Sequence, residues 1–200
     1  MSRGLTQSEN HPQKGSSIKV EPVRDLKAIK RIKKYLVEKP RDHCLFSLGI
    51  NTAYRANELL SIKVADIEHL AVGDVLELKQ SKVNKYRGVT LNKNVIDSVS
   101  ALIASRKYQS DDYLFYSLHG PVLTVPAVNR LVKTWCRENG VKGNFGSHTL
   151  RKTWGYQQRI QNNAPIPLLM EAFGHTTQKQ TLDYLGVQSH EIQDLYSLEI

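Results

Sequence analysis

The sequence predicts a mainly α fold with a small antiparallel sheet, an α+β domain of many short helices around one β-hairpin. Three observations carry this prediction. Apolar residues recur at helical spacing in several separate segments, among them 25–39, 95–106 and 126–139. Only two segments, 75–80 and 87–92, alternate apolar and polar residues as strands do. The 200 residues contain no internal repeat and no second-domain linker, so one domain accounts for the length.

Residues 1–22 open with the polar run MSRGLTQSENHPQKGSS and are expected to form a disordered tail; the folded domain is expected over 23–200. In DLKAIKRIKKYLVEK, Leu26, Ile29, Ile32 and Leu36 fall on one helical stripe, and Asp25 is suited to cap it. The outer face carries Lys27, Lys30, Arg31, Lys33 and Lys34, a strip that would serve either a polyanion or plain solvation. Pro40 restarts the chain, and Cys44 to Ile50 reads as a buried helix. In NTAYRANELLSIKVADI, Asn57 is the expected N-cap, with Leu59, Leu60 and Ile62 in the core.

The strand segments VLELKQ (75–80) and RGVTLN (87–92) would turn Leu76, Leu78, Val89 and Leu91 toward a core. The polar link SKVNKY makes them a hairpin with a basic tip. Helices follow over 95–106 and 126–139. From His148 onward, three or four short helices are expected, divided by APIP and Gly174.

Lysine plus arginine number 28 against 19 acidic residues, a net charge of +9 and a pI near 9.5. Such an excess suits a polyanionic partner, nucleic acid first, although a basic surface also serves solubility. Cys44 and Cys136 lie far apart among apolar residues, in no metal spacing, and read as buried reduced thiols. No apolar run approaches a membrane span, and the N-terminus has no apolar signal core; a cytoplasmic protein without membrane contact is expected. A Gly-rich phosphate loop, HExxH, paired cysteines and a GxSxG elbow are all missing, and the seven histidines are scattered. Neither a metal nor a cofactor is expected.

Four constellations remain. In HTLR, His148 and Arg151 are three apart and share a helical face; the Arg fork grips two oxygens while the His can exchange a proton. In YRANELL, Arg55 sits just ahead of the helix N-cap, where an anion is also favoured by the helix amides, and Glu58 could hold its guanidinium. The hairpin tip offers Lys79, Lys82, Lys85 and Arg87; a lysine there could reach a site built elsewhere and protonate a leaving alkoxide. In GHTTQKQTLDYLG, Tyr184 stands nine positions after His175. At about 100° per residue the two would face opposite ways in one helix, so His175 must lie in the turn before it. A phenol titrates near pH 10 and needs nearby positive charge or a base to act as a nucleophile. Each motif alone is equally explained by surface, capping or packing roles.

Taken together and in this order, RANEL, QSKVNK, HTLRKT, GH and TLDYL resemble the boxes of the tyrosine recombinase (phage integrase) catalytic domain. The resemblance runs from about Asp25 to the C-terminus. It implies that Arg55 and Arg151 grip a scissile phosphate, that His148 is a general acid/base, and that His175 hydrogen-bonds the same group. It makes Tyr184 the nucleophile and Glu58 the support of the first arginine. Lys82 resembles the hairpin lysine that protonates the leaving 5′-oxygen, with Lys85 the alternative.

The function so implied is cleavage and rejoining of double-stranded DNA through a 3′-phosphotyrosyl intermediate, with neither metal nor ATP. The family also implies self-association, as a tetramer on DNA, or an accessory protein. Its relatives' N-terminal core-binding domain is expected to be absent. Two rival readings stay open: a non-catalytic accessory DNA-binding module, and DNA relaxation resembling that of type IB topoisomerases.

Overall fold

The computed structural model describes residues 19–79, 86–187, 189–197 and 199. Their helices are α1 (Leu26–Leu36), α2 (Pro40–Thr52), α3 (Ala56–Leu60), α4 (Lys93–Ala104), α5 (Val125–Glu138), α6 (Ser147–Asn162), α7 (Ile166–Phe173), α8 (Gln178–Leu185) and α9 (Ser189–Asp194). The strands β1 (Val75–Lys79) and β2 (Tyr86–Thr90) form one antiparallel pair. The mainly α fold with one small hairpin is as the sequence predicts. Among the described residues no helix is long and apolar enough to cross a membrane.

Helix α1 starts because the Asp25 carboxylate accepts the otherwise unpaired amides of Lys27 and Ala28, at 2.8 and 3.2 Å. It buries Ala28, Ile29, Ile32 and Leu36 and leaves Lys27, Lys30 and Lys34 outside, with Lys33 half-buried; Leu26, expected in the stripe, is 43% exposed. Residues 1–18 of the expected tail lie outside the described residues, and residues 19–22 pack against the body. The expected tail ran to residue 22, but the Glu21 amide donates to the Asn144 carbonyl at 2.7 Å and Pro22 is buried.

Helix α2 begins at Pro40, whose missing N–H costs nothing at a first helical position. It is the central helix, buried along most of its length and packed on α1, α4 and α6. Gly49 makes the last contact possible: a Cβ there would lie 2.5 Å from Leu150 Cδ1. The helix ends at Ala53, left-handed at φ 56° without being glycine.

The cap of α3 differs from expectation. Arg55 is the N-cap, and its amide donates to Glu58 Oε2 at 2.6 Å; Asn57 lies inside the helix on its exposed side. A carboxylate three residues on can close the first turn from within, so no Asn is needed there.

In the hairpin, Leu78 pairs with Arg87 and Lys79 with Tyr86. Leu76, Leu78 and Leu91 are buried and Val89 half-buried, as the alternation predicts. Tyr54 ties the hairpin to the body: its hydroxyl donates to the Leu76 carbonyl at 2.7 Å and lies 3.0 Å from that of Arg87. The tip, with Lys82 and Lys85, lies outside the described residues.

The buried side chains form two groups. The main core gathers α1–α6 and the hairpin and includes an edge-on pair of Phe46 and Trp135. A smaller group of Ala53, Leu169, Phe173 and Leu185 seats the last helices on α6, with Trp154 and Tyr184 packed against it. Cys44 and Cys136 are buried free thiols, and burial pushes each up to about 12.

Candidate active site

The first turn of α6 is anchored on α5, where Asn129 Oδ1 accepts the Ser147 amide at 3.1 Å. Gly146 allows this approach, because a Cβ would sit 2.2 Å from that same oxygen. His148 therefore stands exposed at the start of α6, and Arg151 follows one turn later on the same side, 2% exposed. The Arg151 guanidinium donates to the carbonyls of Ala53 and Phe173, which close α2 and α7. Burial lowers its pKa to about 10, so it remains charged at neutral pH.

Glu58, only 3% exposed, holds two more arginines. Its carboxylate accepts from Arg55 Nη1 at 3.0 Å and from Arg87 Nη2 at 3.2 Å. Arg87 also donates to the carbonyls of Ala172 and Ala53, at 2.9 and 3.1 Å, and its guanidinium lies 4.5 Å from the Tyr54 ring centre. The sequence placed Arg87 among the tip residues. The structure makes it a fixed cation beside the site, joining the hairpin to α2, α3 and α7. Two guanidinium groups thus share one carboxylate and a third, that of Arg151, rests on backbone carbonyls beside them, a surplus of positive charge that favours an anion. The Arg55 side chain is the most open of the three, at 27% exposure against 12% for Arg87.

Helix α7 ends at Gly174, left-handed at φ 61°, and the chain turns there. His175 lies in the turn, and Thr177 caps α8 by accepting the Gln180 amide at 3.2 Å. Tyr184 then projects from the last turn of α8. The two side chains meet as the helix arithmetic requires, with ring centres 5.2 Å apart. His175 stacks on Phe173 at 5.1 Å and pairs through Nδ1 with Thr181 Oγ1 at 3.0 Å. Burial, then the charges of Arg151 and Arg55, lower its pKa to about 4, which leaves a neutral imidazole at pH 7.

The Tyr184 hydroxyl lies 3.2 Å from His148 Nδ1, and the ring centre is 6.0 Å from the Arg151 guanidinium carbon. Burial raises the phenol's pKa while Arg151 pulls it back down. The result at rest is a protonated phenol, next to an imidazole able to take its proton. Beside Arg151, Lys152 is 8% exposed and its Nζ lies 4.8 Å from the Tyr184 ring centre. The sequence did not single it out; a lysine after HTLR carries no signal of burial.

Of the expected site residues, then, Arg55, Glu58, His148, Arg151, His175 and Tyr184 converge. Lys82 and Lys85 lie outside the described residues; the strand residues on either side of them, Lys79 and Tyr86, pair with each other. The assembly can activate a phenol and stabilise added negative charge on an oxyanion.

Comparison with known proteins agrees with this chemistry. The model of the phage integrase family matches residues 23–191. The chain is 29% identical over 182 residues to the probable integrase/recombinase YoeC of Bacillus subtilis (strain 168), covering 90% of this chain and 96% of that one. It is 27% identical over 162 residues to tyrosine recombinase XerD of Staphylococcus haemolyticus (strain JCSC1435), covering 78% of this chain but 54% of XerD. Among solved structures, the XerH recombinase bound to difH in a post-cleavage complex superposes with a TM-score of 0.73 at 21% identity, over 92% of this chain and 54% of that one. XerA recombinase superposes at 0.72 with 19% identity, over 88% and 65%. The chain therefore spans about half the length of the XerD relatives and shares the fold of recombinase catalytic domains. With a family match over most of its length, the chain belongs to the phage integrase family, the tyrosine recombinases that cut and rejoin DNA.

Proposed function

We propose that this domain cuts and rejoins double-stranded DNA in site-specific recombination, with Tyr184 as the nucleophile. The observation that carries the reading is the Tyr184 hydroxyl held 3.2 Å from His148 Nδ1 at the edge of the arginine cluster. The phenol oxygen attacks the phosphorus of one strand, and His148 takes its proton. Attack adds negative charge to the phosphoryl oxygens, and Arg55 and Arg151 are the donors for it, with Arg87 fixed behind them.

His175 contributes as a neutral donor. In the tautomer that carries its proton on Nε2, with Nδ1 paired to the Thr181 hydroxyl, it can give a hydrogen bond to a phosphoryl oxygen. The phosphorus–O5′ bond breaks as the new phosphorus–tyrosine bond forms, and the leaving oxygen takes a proton from Lys82, or from Lys85. The products are a 3′-phosphotyrosine and a free 5′-hydroxyl. The bond order at phosphorus is conserved, so attack by another strand's 5′-hydroxyl reverses the step without ATP. Exchange between two duplexes needs four cuts and so four copies of Tyr184, which is the case for a tetramer on DNA.

The test is a pool of nicked duplexes of random sequence, in which the short 5′-hydroxyl fragment diffuses away and traps the adduct. The wild type is expected to give a protein–DNA band that survives SDS, and Tyr184→Phe none. An adduct from Tyr184→Phe would show that the nucleophile is misassigned. Salt-sensitive DNA binding with no adduct from either protein would favour the accessory-module reading. Relaxation of supercoiled plasmid without a defined site would favour topoisomerase-like action.

A further inference from the structure

Lys152 stands out from the rest of the basic residues. Its side chain is more than nine-tenths buried, yet no described residue makes a hydrogen bond or ion pair with its ammonium. The stem is covered while the ammonium, over the Tyr184 ring, is set among the cations Lys19 and Arg24 with Glu21 the opposing charge that acts on it, so its own charge is poorly matched. Here the ammonium faces a cleft of about 430 Å³ lined by Lys19, Lys152, Thr177, Lys179, Asp183 and Tyr184. The Arg24 side chain nearby is already matched by Glu21, at 2.9 Å. Asp183 is the one carboxylate lining this cleft against Lys19, Lys152 and Lys179; Glu21, paired with Arg24, also acts on Lys152, and the balance of the region stays cationic.

Two further features fit an anion. The first turn of α8 opens onto the cleft at Thr177, Lys179 and Gln180, where helix amides and dipole favour negative charge. The cleft also lies against Tyr184. Lys152 Nζ is 4.8 Å and the Arg151 guanidinium 6.0 Å from that ring's centre. A polyanion whose one phosphate reaches the arginines thus has a second basic pocket beside the nucleophile's ring.

We propose that this cleft is a second phosphate site, in which Lys152, Lys179 and Lys19 hold the DNA backbone phosphate adjoining the one that Tyr184 attacks. The ammonium of Lys152, which opens on the cleft over the Tyr184 ring in the free protein, would then gain a phosphate partner in the DNA complex, and that contact would fix how the strand lies across Tyr184. The proposal rests on the reading of Tyr184 as the nucleophile of a DNA strand transferase.

The test is the salt dependence of binding to a random-sequence duplex, for wild type, Lys152→Met and the exposed pair Lys19→Ala/Lys179→Ala. Each phosphate contact contributes about 0.9 to the slope of log affinity against log salt. Lys152→Met should lower the slope by about one, which makes its loss of affinity between 50 and 200 mM salt roughly threefold smaller than the wild type's. The surface pair should lower the slope too, and as these residues are exposed it does so without a folding defect. On the trapped nicked duplex, a neutral methylphosphonate next to the scissile phosphate should reduce the wild-type adduct and leave Lys152→Met unaffected.

Unchanged slopes in both variants overturn the proposal while leaving strand cleavage intact. So does altered sedimentation of the DNA-free protein at unchanged slope, which would place a carboxylate of a second chain in the cleft. A wild type with no salt-dependent duplex binding overturns the site and the proposed function together.

Discussion

Glu58→Gln removes one negative charge from the arginine cluster while keeping its shape. Glu58 is 3% exposed and accepts three hydrogen bonds: from the Arg55 amide, from the Arg55 guanidinium and from that of Arg87. Removing one partner of a buried ion pair typically costs about 3–5 kcal/mol, because a charge is left uncompensated. Glutamine keeps one acceptor oxygen but turns an amide toward the arginines. The expected loss is therefore about 2–4 kcal/mol, or a melting point lower by about 5–12 °C for a domain of this size. The assay is thermal unfolding at neutral pH with sodium sulfate or with sodium chloride of equal ionic strength. Sulfate should return more of the melting point to the variant than it adds to the wild type, because an anion in the cluster replaces the lost charge. A loss below about 1 kcal/mol, or equal sulfate effects, would refute Glu58 as the counter-charge of both arginines.

Three other outcomes follow from the same geometry. A Cβ at Gly155 would lie 2.3 Å from Phe173 Cζ and 2.8 Å from Leu185 Cδ2, so Gly155→Ala must push α7 and α8 off α6. Overpacking of about 1–3 kcal/mol outweighs the roughly 1 kcal/mol gained by replacing a helical glycine, and DNA adduct formation should fall further than DNA binding; a more stable, equally reactive variant would contradict the packing. Asp25→Ala leaves two amides of α1 uncapped and should cost about 1 kcal/mol, read by urea unfolding, with no change in DNA affinity. His175 titrates near 4 when folded and near 6.5 when unfolded, so the unfolded chain binds its proton first as the pH falls. Its share of stability is whole above about pH 6.5 and lost progressively down to about 4; His175→Gln should flatten the unfolding curve over that window, and an unchanged slope there would refute the neutral imidazole.

The parts legible in the sequence are those with local causes. Asp25 caps α1 because the carboxylate and the amides it satisfies are neighbours in the chain. His148 and Arg151 share a face by helical spacing, and the nine-residue interval to Tyr184 forced His175 into a turn that Gly174 supplies. The parts that were not legible depend on distant partners. Arg87 reads as one more basic hairpin residue until Glu58, Ala53 and Ala172, from three other segments, are seen around it. Lys152 gives no sign of burial, because its cover is Tyr184 and the segment before α1. Asn57 has the right chemistry for a cap, but Glu58 closes that turn from inside the helix, and only the φ and ψ of Arg55 reveal which residue comes first.

The small second group of apolar residues has a bearing on when the protein can react. Tyr184 packs on Phe173, Leu169 and Leu185, not on the main core that α2 organises. Such a cluster can open as a cooperative unit at a free energy well below that of global unfolding. Amides of α7 and α8 should then exchange with solvent before those of α2. If Tyr184 is the nucleophile as proposed, its availability becomes a local equilibrium, set by a handful of side chains, and strand cutting would be throttled in a protein whose melting temperature reveals nothing.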